Sequence, residues 1–211
     1  MDIRKYPANA GNVGGSRAAS AIKYIVIHYT GNDGDTAGNN AKYYATKVVK
    51  TSAHYFVDEK EIVQSVDDLR VAWAVGGNKY ASCAQTGGGT LYGKCRNANS
   101  ISIELCDEKK NGVYAPGAKT VAQALELTRA LMKKYSIPAS NVIRHFDVTG
   151  KLCPAYWVGR ENAGKWESEF HGKLTGPDYR AQLQKRAGLL NPTLDYLAAY
   201  KYGDDLIRKL A

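Results

Sequence analysis

Short runs of β-branched residues alternate with longer amphipathic stretches along the chain. The run at residues 23–29 is almost wholly apolar, which is typical of a strand that is covered on both faces. The run at 100–106 alternates instead, so that Glu104 lies on the face opposite to its isoleucines and leucine. Further strands are predicted at 52–57, 61–65 and 142–145.

Two stretches carry apolar residues at helical spacing. One runs over residues 35–47, and the other runs over 119–135 and is stopped by Pro138. Helices that alternate with strands indicate an α/β fold, here a central, mainly mixed β-sheet with helices packed on it. We assign residues 1–172 to this domain.

Residues 173–211 differ in character and are predicted to form a small C-terminal helical tail. Helical segments are expected at 178–187 and after Asn191-Pro192, a favourable N-cap followed by proline at the first helical position. A piece of this size cannot bury enough apolar surface to fold alone. Its apolar side chains must therefore pack on the first domain, on a second copy of the tail or on a ligand.

The segment 76–99 is much longer than a routine connection, and it contains a run of three glycines and two cysteines. Long loops are often functional, and this one could border a substrate groove. Cys83 and Cys95 are expected to remain thiols. The alternatives are pairing outside the cell and binding of a second metal.

Composition narrows the class of protein. The 211 residues are 44% hydrophobic and 23% charged, which fits a globular protein. No apolar run approaches the ~20 residues that cross a bilayer, and no apolar stretch follows the first charged residues. We therefore expect no transmembrane segment, no secretory signal and a cytoplasmic location in the producing cell. Four cysteines are too few for a disulfide scaffold.

The chain is strongly basic, with 29 Lys and Arg against 20 Asp and Glu and a net charge of +9. A positive balance suits a polyanionic partner, either nucleic acid or an anionic surface, although solvated lysines alone would give the same sum. The basic residues are scattered, and neither a zinc-finger spacing nor an aromatic single-strand reader is visible. No nucleic-acid partner is therefore predicted.

Three side chains suited to zinc lie at or just beyond predicted strand ends: His28, His145 and Cys153. Two imidazoles and one thiolate leave the fourth tetrahedral position open, which is typical of a catalytic zinc ion. Beside such an ion, Glu104 could move a proton from an attacking water to a leaving amine, and Lys151 could stabilise an oxyanion. The competing interpretation is that each histidine is an ordinary core or surface residue.

Five segments of the chain carry a family resemblance. They are Ile25-Val26-Ile27-His28-Tyr29-Thr30-Gly31, Ser52-Ala53-His54-Tyr55-Phe56-Val57-Asp58, Ala72-Trp73, Asn99-Ser100-Ile101-Ser102-Ile103-Glu104-Leu105, and Arg144-His145-Phe146-Asp147 through Lys151-Leu152-Cys153-Pro154. In this order they resemble the zinc-dependent N-acetylmuramoyl-L-alanine amidases, the family of phage lysozyme-type amidases and peptidoglycan recognition proteins. The likeness covers residues 20–157.

The resemblance implies cleavage of the amide bond between the lactyl group of N-acetylmuramic acid and the L-alanine of the stem peptide. By motif position it implies one catalytic zinc ion bound by His28, His145 and Cys153. It further implies that Glu104 is the catalytic glutamate and Lys151 a catalytic lysine. Peptidoglycan is the substrate that follows from it.

The chain departs from the family pattern at two positions. Ala53 stands where some members carry a tyrosine, so the resemblance implies that catalysis depends more on Glu104. Ala74 follows Trp73 at a position where a histidine near the substrate is frequent. His54 is expected to be a packed strand histidine rather than a replacement for it.

We therefore expect an endolysin or related autolysin that degrades a Gram-positive wall after release, with anionic wall polymers as further partners. The tail is expected to serve self-association into a homo-oligomer, wall targeting or packing on the catalytic domain. Two other functions stay open: a module that binds peptidoglycan without cutting it, and a zinc peptidase that cuts within the stem peptide. Retention of Cys153, Glu104 and Lys151 favours catalysis over the binding module.

Overall fold

The computed structural model describes residues 1–110, 112–175, 184–185, 187–199 and 203–210. The chain divides into two units, Met1–Leu174 and Thr175–Ala211. The strands and helices predicted before residue 172 all lie in the first unit.

A six-stranded mixed sheet lies at the centre of the first unit, as predicted. The strands, in chain order, are β1 (Ile3–Lys5), β2 (Val13–Ser16), β3 (Tyr24–Tyr29), β4 (Tyr55–Val57), β5 (Ile62–Gln64), β6 (Arg70–Ala72), β7 (Ser100–Leu105), β8 (Glu108–Lys110), β9 (Val113–Ala115) and β10 (Val142–Arg144). The order across the sheet is β1-β5-β4-β7-β3-β10, and the last four of these strands are mutually parallel. β5 is antiparallel to β4 and parallel to β1. The remaining strands form two pairs, β2 with β6 and β8 with β9.

The helices of this unit are α1 (Ala37–Thr46), α2 (Cys83–Thr86), α3 (Ala118–Tyr135) and α4 (His145–Thr149). α1 and α3 are the two helices predicted from the sequence. The hydroxyl of Thr36 caps α1 by accepting a hydrogen bond from a backbone N–H of its first turn. None of the described helices is long and apolar enough to cross a membrane.

Both faces of the sheet are covered, which explains why β3 is apolar over most of its length. α3 packs on one face, where Leu127 and Leu131 meet alternate residues of β3 and β7. The 76–99 segment contributes to the cover of the other face, where Val26 and Cys95 share one apolar cluster. α1 covers the same side further along the sheet. The prediction that the strand at residues 23–29, which is β3, is covered on both faces is confirmed.

Two short helices of the second unit pack on each other, Asn191–Ala199 and Gly203–Leu210. Leu194 and Ile207 are buried, whereas Tyr196 is 78% exposed. Most of the helix predicted at 178–187 lies outside the described residues.

Candidate active site

His28 and Glu104 lie side by side at the carboxyl ends of the two central strands. They are paired in the parallel ladder between β3 and β7. The alternation of each strand places both side chains on the face away from α3. His28 Nδ1 lies 3.8 Å from Glu104 Oε1, and the Glu104 side chain is 20% exposed while His28 is buried.

His145 reaches the same place from β10, which pairs with the other edge of β3. The sequence predicts a strand through His145, but the strand ends one residue earlier and His145 begins α4. Asp147 fixes this helix start, because its carboxylate accepts the Arg144 backbone N–H at 2.8 Å and the Arg144 guanidinium at 2.7 Å. Arg144 and Asp147 therefore cap the start of α4, and the His145 imidazole at its first position lies beside His28.

Cys153 returns to this point at the end of the loop that follows α4. The Phe146 N–H donates to the Cys153 carbonyl oxygen at 3.0 Å, which closes the loop. Cys153 Sγ is buried and lies 3.8 Å from His28 Nδ1. The fold thus brings together His28, Glu104, His145 and Cys153, which we call the strand-end cluster.

Three members of this cluster offer ligand atoms for one metal ion. One donor atom from each of His28, His145 and Cys153 lies within 4.8 Å of the others. His28 Nε2 and both ring nitrogens of His145 are buried without a hydrogen-bond partner among the described residues. Buried polar atoms without partners are costly, so this arrangement favours a bound ligand. Two imidazoles and a thiolate are donors that fit zinc.

Burial controls the charge of the cluster. It lowers the pKa of His28 well below its usual value and lowers the pKa of His145 to about 4, and the Lys151 ammonium adds to both shifts. Both rings are therefore neutral at pH 7, which is the form that binds a metal. Burial also raises the pKa of the Cys153 thiol, and raises that of Glu104 to about 8 against the opposing charge of Lys151.

A cleft of about 710 Å³ opens beside the strand-end cluster. Lys151 is exposed and lines this cleft together with His145. The other lining residues are Asn97, Thr149 and those at 50–51, 73–74 and 76–80. The prediction of a groove along the long loop is therefore consistent with the structure, since the start of that loop forms one wall.

The glycine run of the 76–99 segment holds this segment against α4. A Cβ atom at Gly88 would lie 2.7 Å from the Phe146 ring, so only glycine allows the approach. The Gly89 N–H donates to the Phe146 carbonyl oxygen at 2.9 Å. The segment thereby supports the helix that carries His145.

The other residues singled out in the sequence lie outside the cluster. His54 is packed, as predicted: its Nδ1 accepts the Ser102 N–H at 3.0 Å and its Nε2 lies 2.8 Å from Arg17 Nη2. Ala53 is buried, and Ala74 lines the cleft. All four cysteines are buried free thiols.

Three residues of the cleft are missed by sequence reasoning: Lys50, Lys79 and Asn97. The two lysines belong to a scattered set of 29 basic residues, and no pattern separates them from solvated ones. Asn97 lies just before β7, where its Oδ1 accepts the N–H groups of Ala74 and Val75 at 3.0 and 2.8 Å. An asparagine at the end of a long loop is too common a feature to have indicated this contact.

Comparison with known proteins places this fold beside one family. The family model described as N-acetylmuramoyl-L-alanine amidase matches residues 18–156. The chain is 37% identical over 146 residues to N-acetylmuramoyl-L-alanine amidase CwlL of Bacillus licheniformis, and the alignment covers 66% of this chain and 38% of that protein. The chain thus spans about two fifths of the length of such curated relatives.

Solved structures have the same fold. PlyL matches with a TM-score of 0.65 and 28% identity, over 84% of this chain and 99% of that chain. A mutant endolysin from Bacillus subtilis matches with a TM-score of 0.59 and 28% identity, over 82% of this chain and 99% of that chain. Each match therefore covers nearly the whole of the solved chain.

Proposed function

The chain belongs to the N-acetylmuramoyl-L-alanine amidase family, and we propose on this premise that it hydrolyses the amide bond between N-acetylmuramic acid and L-alanine in peptidoglycan. We further propose that the reaction uses one zinc ion held by His28, His145 and Cys153, with Glu104 and Lys151 as catalytic residues. One observation carries the proposal: buried imidazole nitrogens without partners and a thiol converge beside an open cleft.

Glu104 is assigned the proton transfers of this hydrolysis. A zinc ion held by His28, His145 and Cys153 would supply Lewis-acid activation of the amide carbonyl and of the attacking water. The charges of Lys151 and of a bound cation would favour the ionised form of Glu104 against the effect of burial. The carboxylate would then accept a proton from the attacking water and deliver it to the amide nitrogen, so that the carbon–nitrogen bond breaks and the products are the lactyl carboxylic acid and the amine of L-alanine. Its Oε2 has no hydrogen-bond partner among the described residues, which leaves this atom available for the proton.

Lys151 is assigned the stabilisation of negative charge on the carbonyl oxygen. It shares the cleft wall with His145, and its positive charge acts on all four members of the strand-end cluster. One such donor contributes about 3 kcal/mol in comparable oxyanion sites. Lys151→Met should therefore lower kcat by about 10²- to 10³-fold.

Digestion of purified peptidoglycan tests the assignment. The wild type should release new amino groups that belong to L-alanine and should leave the glycan chains intact. Glu104→Ala should retain zinc but lose cleavage, whereas Cys153→Ser should weaken zinc binding as well. Lys133→Met serves as the control, because Lys133 is exposed on α3 and does not line the cleft.

The same digest separates the other candidate functions. New amino groups on a residue other than L-alanine would indicate a zinc peptidase that cuts within the stem peptide. Wall binding without new amino groups would indicate a peptidoglycan-binding module. Full cleavage by Glu104→Ala would remove this carboxylate from the mechanism, and an unchanged zinc content in Cys153→Ser would remove the thiolate from the ligand set.

We also propose that the protein is an endolysin or related autolysin that acts on a Gram-positive wall. Similarity to a Bacillus amidase and to an endolysin from Bacillus subtilis supports this setting. The net charge of +9 would attract anionic wall polymers. Because salt screens such attraction, wall binding should weaken as ionic strength rises, and unchanged binding would reject the electrostatic part.

The proposal assigns catalysis to residues 1–172 and self-association or wall targeting to residues 173–211. Leu190 and Tyr196 of the second unit are 73% and 78% exposed, which supplies apolar surface for a partner. Sedimentation and wall binding of the full chain beside a chain that ends at Thr175 test this role. Identical monomeric behaviour would exclude self-association, and identical wall binding would exclude targeting.

A further inference from the structure

The cleft beside the strand-end cluster is basic. Three lysines line it, Lys50, Lys79 and Lys151, and no aspartate or glutamate does so among the described residues. Lys151 has a task in the proposed mechanism, but the other two have none. We propose that Lys50, Lys79 and Asn97 bind a free carboxylate on the peptide that follows the scissile bond. The identity of that peptide as a peptidoglycan stem peptide rests on the proposed function.

Lys50 is held at the cleft by an uncommon backbone conformation. Its φ of 58° lies in the left-handed region, which residues other than glycine rarely occupy. The buried side chain of Asn12 stabilises this turn: Oδ1 accepts the N–H groups of Val49 and Lys50, and Nδ2 donates to the carbonyl oxygens of Tyr44 and Lys47. All four hydrogen-bonding positions of this amide are used. The wall that carries Lys50 is therefore fixed before any ligand binds.

Packing restrains Lys79 in a different way. A Cβ atom at Gly89 would lie 2.7 Å from Lys79 Cε, so the aliphatic part of this lysine lies against the glycine run. The next residue, Tyr80, donates its N–H to the Thr149 carbonyl oxygen at 2.8 Å. A lysine that packs along its aliphatic part keeps its ammonium in water, and Lys79 is exposed and lines the cleft.

Asn97 supplies a directed hydrogen-bond donor in the same cleft as these two lysines. Because its Oδ1 accepts the N–H groups of Ala74 and Val75, the orientation of the amide is fixed by chemistry. The NH₂ group is therefore turned away from these two residues, and Asn97 lines the cleft. An amide donor and two ammonium groups that line one cleft are complementary to a carboxylate, since hydrogen bonds to a charged acceptor are stronger than those to a neutral one.

Two matched probes test the proposal. Both are muramoyl tripeptides, and they differ only in the residue after L-alanine, which carries either a free α-carboxylate or the carboxamide of nearly the same shape. Their dissociation constants are measured by calorimetry with Glu104→Ala, which leaves the probes intact, while cleavage is measured with the wild type. We expect the carboxylate probe to bind about tenfold more tightly at low salt, and we expect the difference to shrink as salt is added.

Asn97→Asp separates recognition from structure. Its carboxylate can still accept both backbone N–H groups, so the cleft wall is retained, but the donor is replaced by a negative charge. This variant should bind the carboxylate probe less tightly than the carboxamide probe. Combined with Glu104→Ala, Lys50→Met and Lys79→Met should each reduce the preference for the carboxylate probe about two- to fivefold, and Lys133→Met should leave it unchanged.

The two proposals fail in different ways. Equal affinities for the two probes, or an unchanged preference in Asn97→Asp, overturn the carboxylate site whether or not the wild type cleaves either probe. If Asn97→Asp does not fold, the double variant Lys50→Met with Lys79→Met decides, and an unchanged preference there overturns the site. Preferential binding without release of an amino group would contradict the proposed hydrolysis and leave the carboxylate site in place.

Discussion

Two groups of buried polar side chains beside the central sheet differ in how well their hydrogen-bonding atoms are satisfied. In the first group the Asp68 carboxylate accepts hydrogen bonds from four donors: Tyr55 Oη at 2.6 Å, Gln64 Nε2 at 3.2 Å, Lys134 Nζ at 2.9 Å and Tyr135 Oη at 2.7 Å. We call these five residues the Asp68 network. It connects α3 to β4 and β5, and both carboxylate oxygens have partners.

The strand-end cluster is similarly buried, but most of its polar atoms lack a hydrogen-bond partner among the described residues. His28 Nε2, both nitrogens of His145 and Glu104 Oε2 have no partner among the described residues. His54 shows that the difference does not come from the residue type, because both of its ring nitrogens have polar neighbours within 3.1 Å. Polar atoms that stabilise the fold are satisfied within it, whereas atoms left unsatisfied at strand ends indicate a binding site.

Asp68→Ala should produce the largest loss of stability. The variant removes a charged acceptor of four hydrogen bonds and leaves the Tyr55 hydroxyl buried without its acceptor, so the free energy of unfolding should fall by about 3–5 kcal/mol. Lys134→Met is the control, because this lysine is 60% exposed and its ion pair should contribute less than about 1 kcal/mol. Urea denaturation measures both values. A loss below about 1 kcal/mol in Asp68→Ala would contradict the structural role of the network.

Zinc should stabilise the protein through the strand-end cluster. A ligand present at a thousandfold excess over its Kd raises the free energy of unfolding by about 4 kcal/mol. Cys153→Ser should lose most of this gain, whereas Lys133→Met should keep it. Thermal unfolding with added zinc and with a chelator measures the effect, and an equal gain in Cys153→Ser would assign the ion to other residues.

His54 should make stability depend on pH. Burial lowers its pKa to about 3, and the Arg17 guanidinium adds to this, against smaller opposing effects of Asp67 and Asp68. Below pH 6.5 the unfolded chain binds a proton that the folded protein does not bind, so stability falls as the pH falls, by about 2 kcal/mol at pH 5. His54→Gln lacks this titration. The unfolding free energy of the wild type should therefore fall by about 2 kcal/mol more than that of His54→Gln between pH 7 and pH 5. An equal fall in the two proteins would contradict the lowered pKa of His54.

The parts of the fold that sequence could predict are those set by local pattern. The apolar run of β3 is typical of a strand covered on both faces, and the alternation in β7 is typical of a strand with one apolar face. His28 and Glu104 could be singled out because they lie at the ends of these two patterns. The strands β1, β2, β6, β8 and β9 span three or four residues each and lie in segments without a long β-branched run, so the apolar pattern does not predict them. β2 pairs with the distant β6 through tertiary contacts, whereas β8 and β9 flank Asn111-Gly112, a local hairpin signal that the apolar pattern does not include.

The Asp68 network and the cleft depend on such tertiary contacts too. Asp68 and Tyr135 are 67 positions apart, and nothing near either residue indicates the other. Asn97 and the glycine run show the same limit, since their roles depend on which backbone groups the folded loop brings to them. The candidate ligand and catalytic residues at the strand ends were therefore predictable from the sequence, whereas the residues that form the walls of the cleft were not.

His145→Leu should have the smallest effect on the stability of the chelator-treated protein, and it tests the comparison directly. Both ring nitrogens of His145 lack partners among the described residues, so leucine removes buried polar atoms and leaves no donor or acceptor without its partner. Such a replacement is nearly neutral or stabilising, and the free energy of unfolding should change by less than about 1 kcal/mol. Urea denaturation in chelator, beside Asp68→Ala under the same conditions, measures the contrast. A loss in His145→Leu as large as that in Asp68→Ala would mean that the two groups of buried polar side chains stabilise the fold alike, and the unpartnered nitrogens would then no longer indicate a ligand.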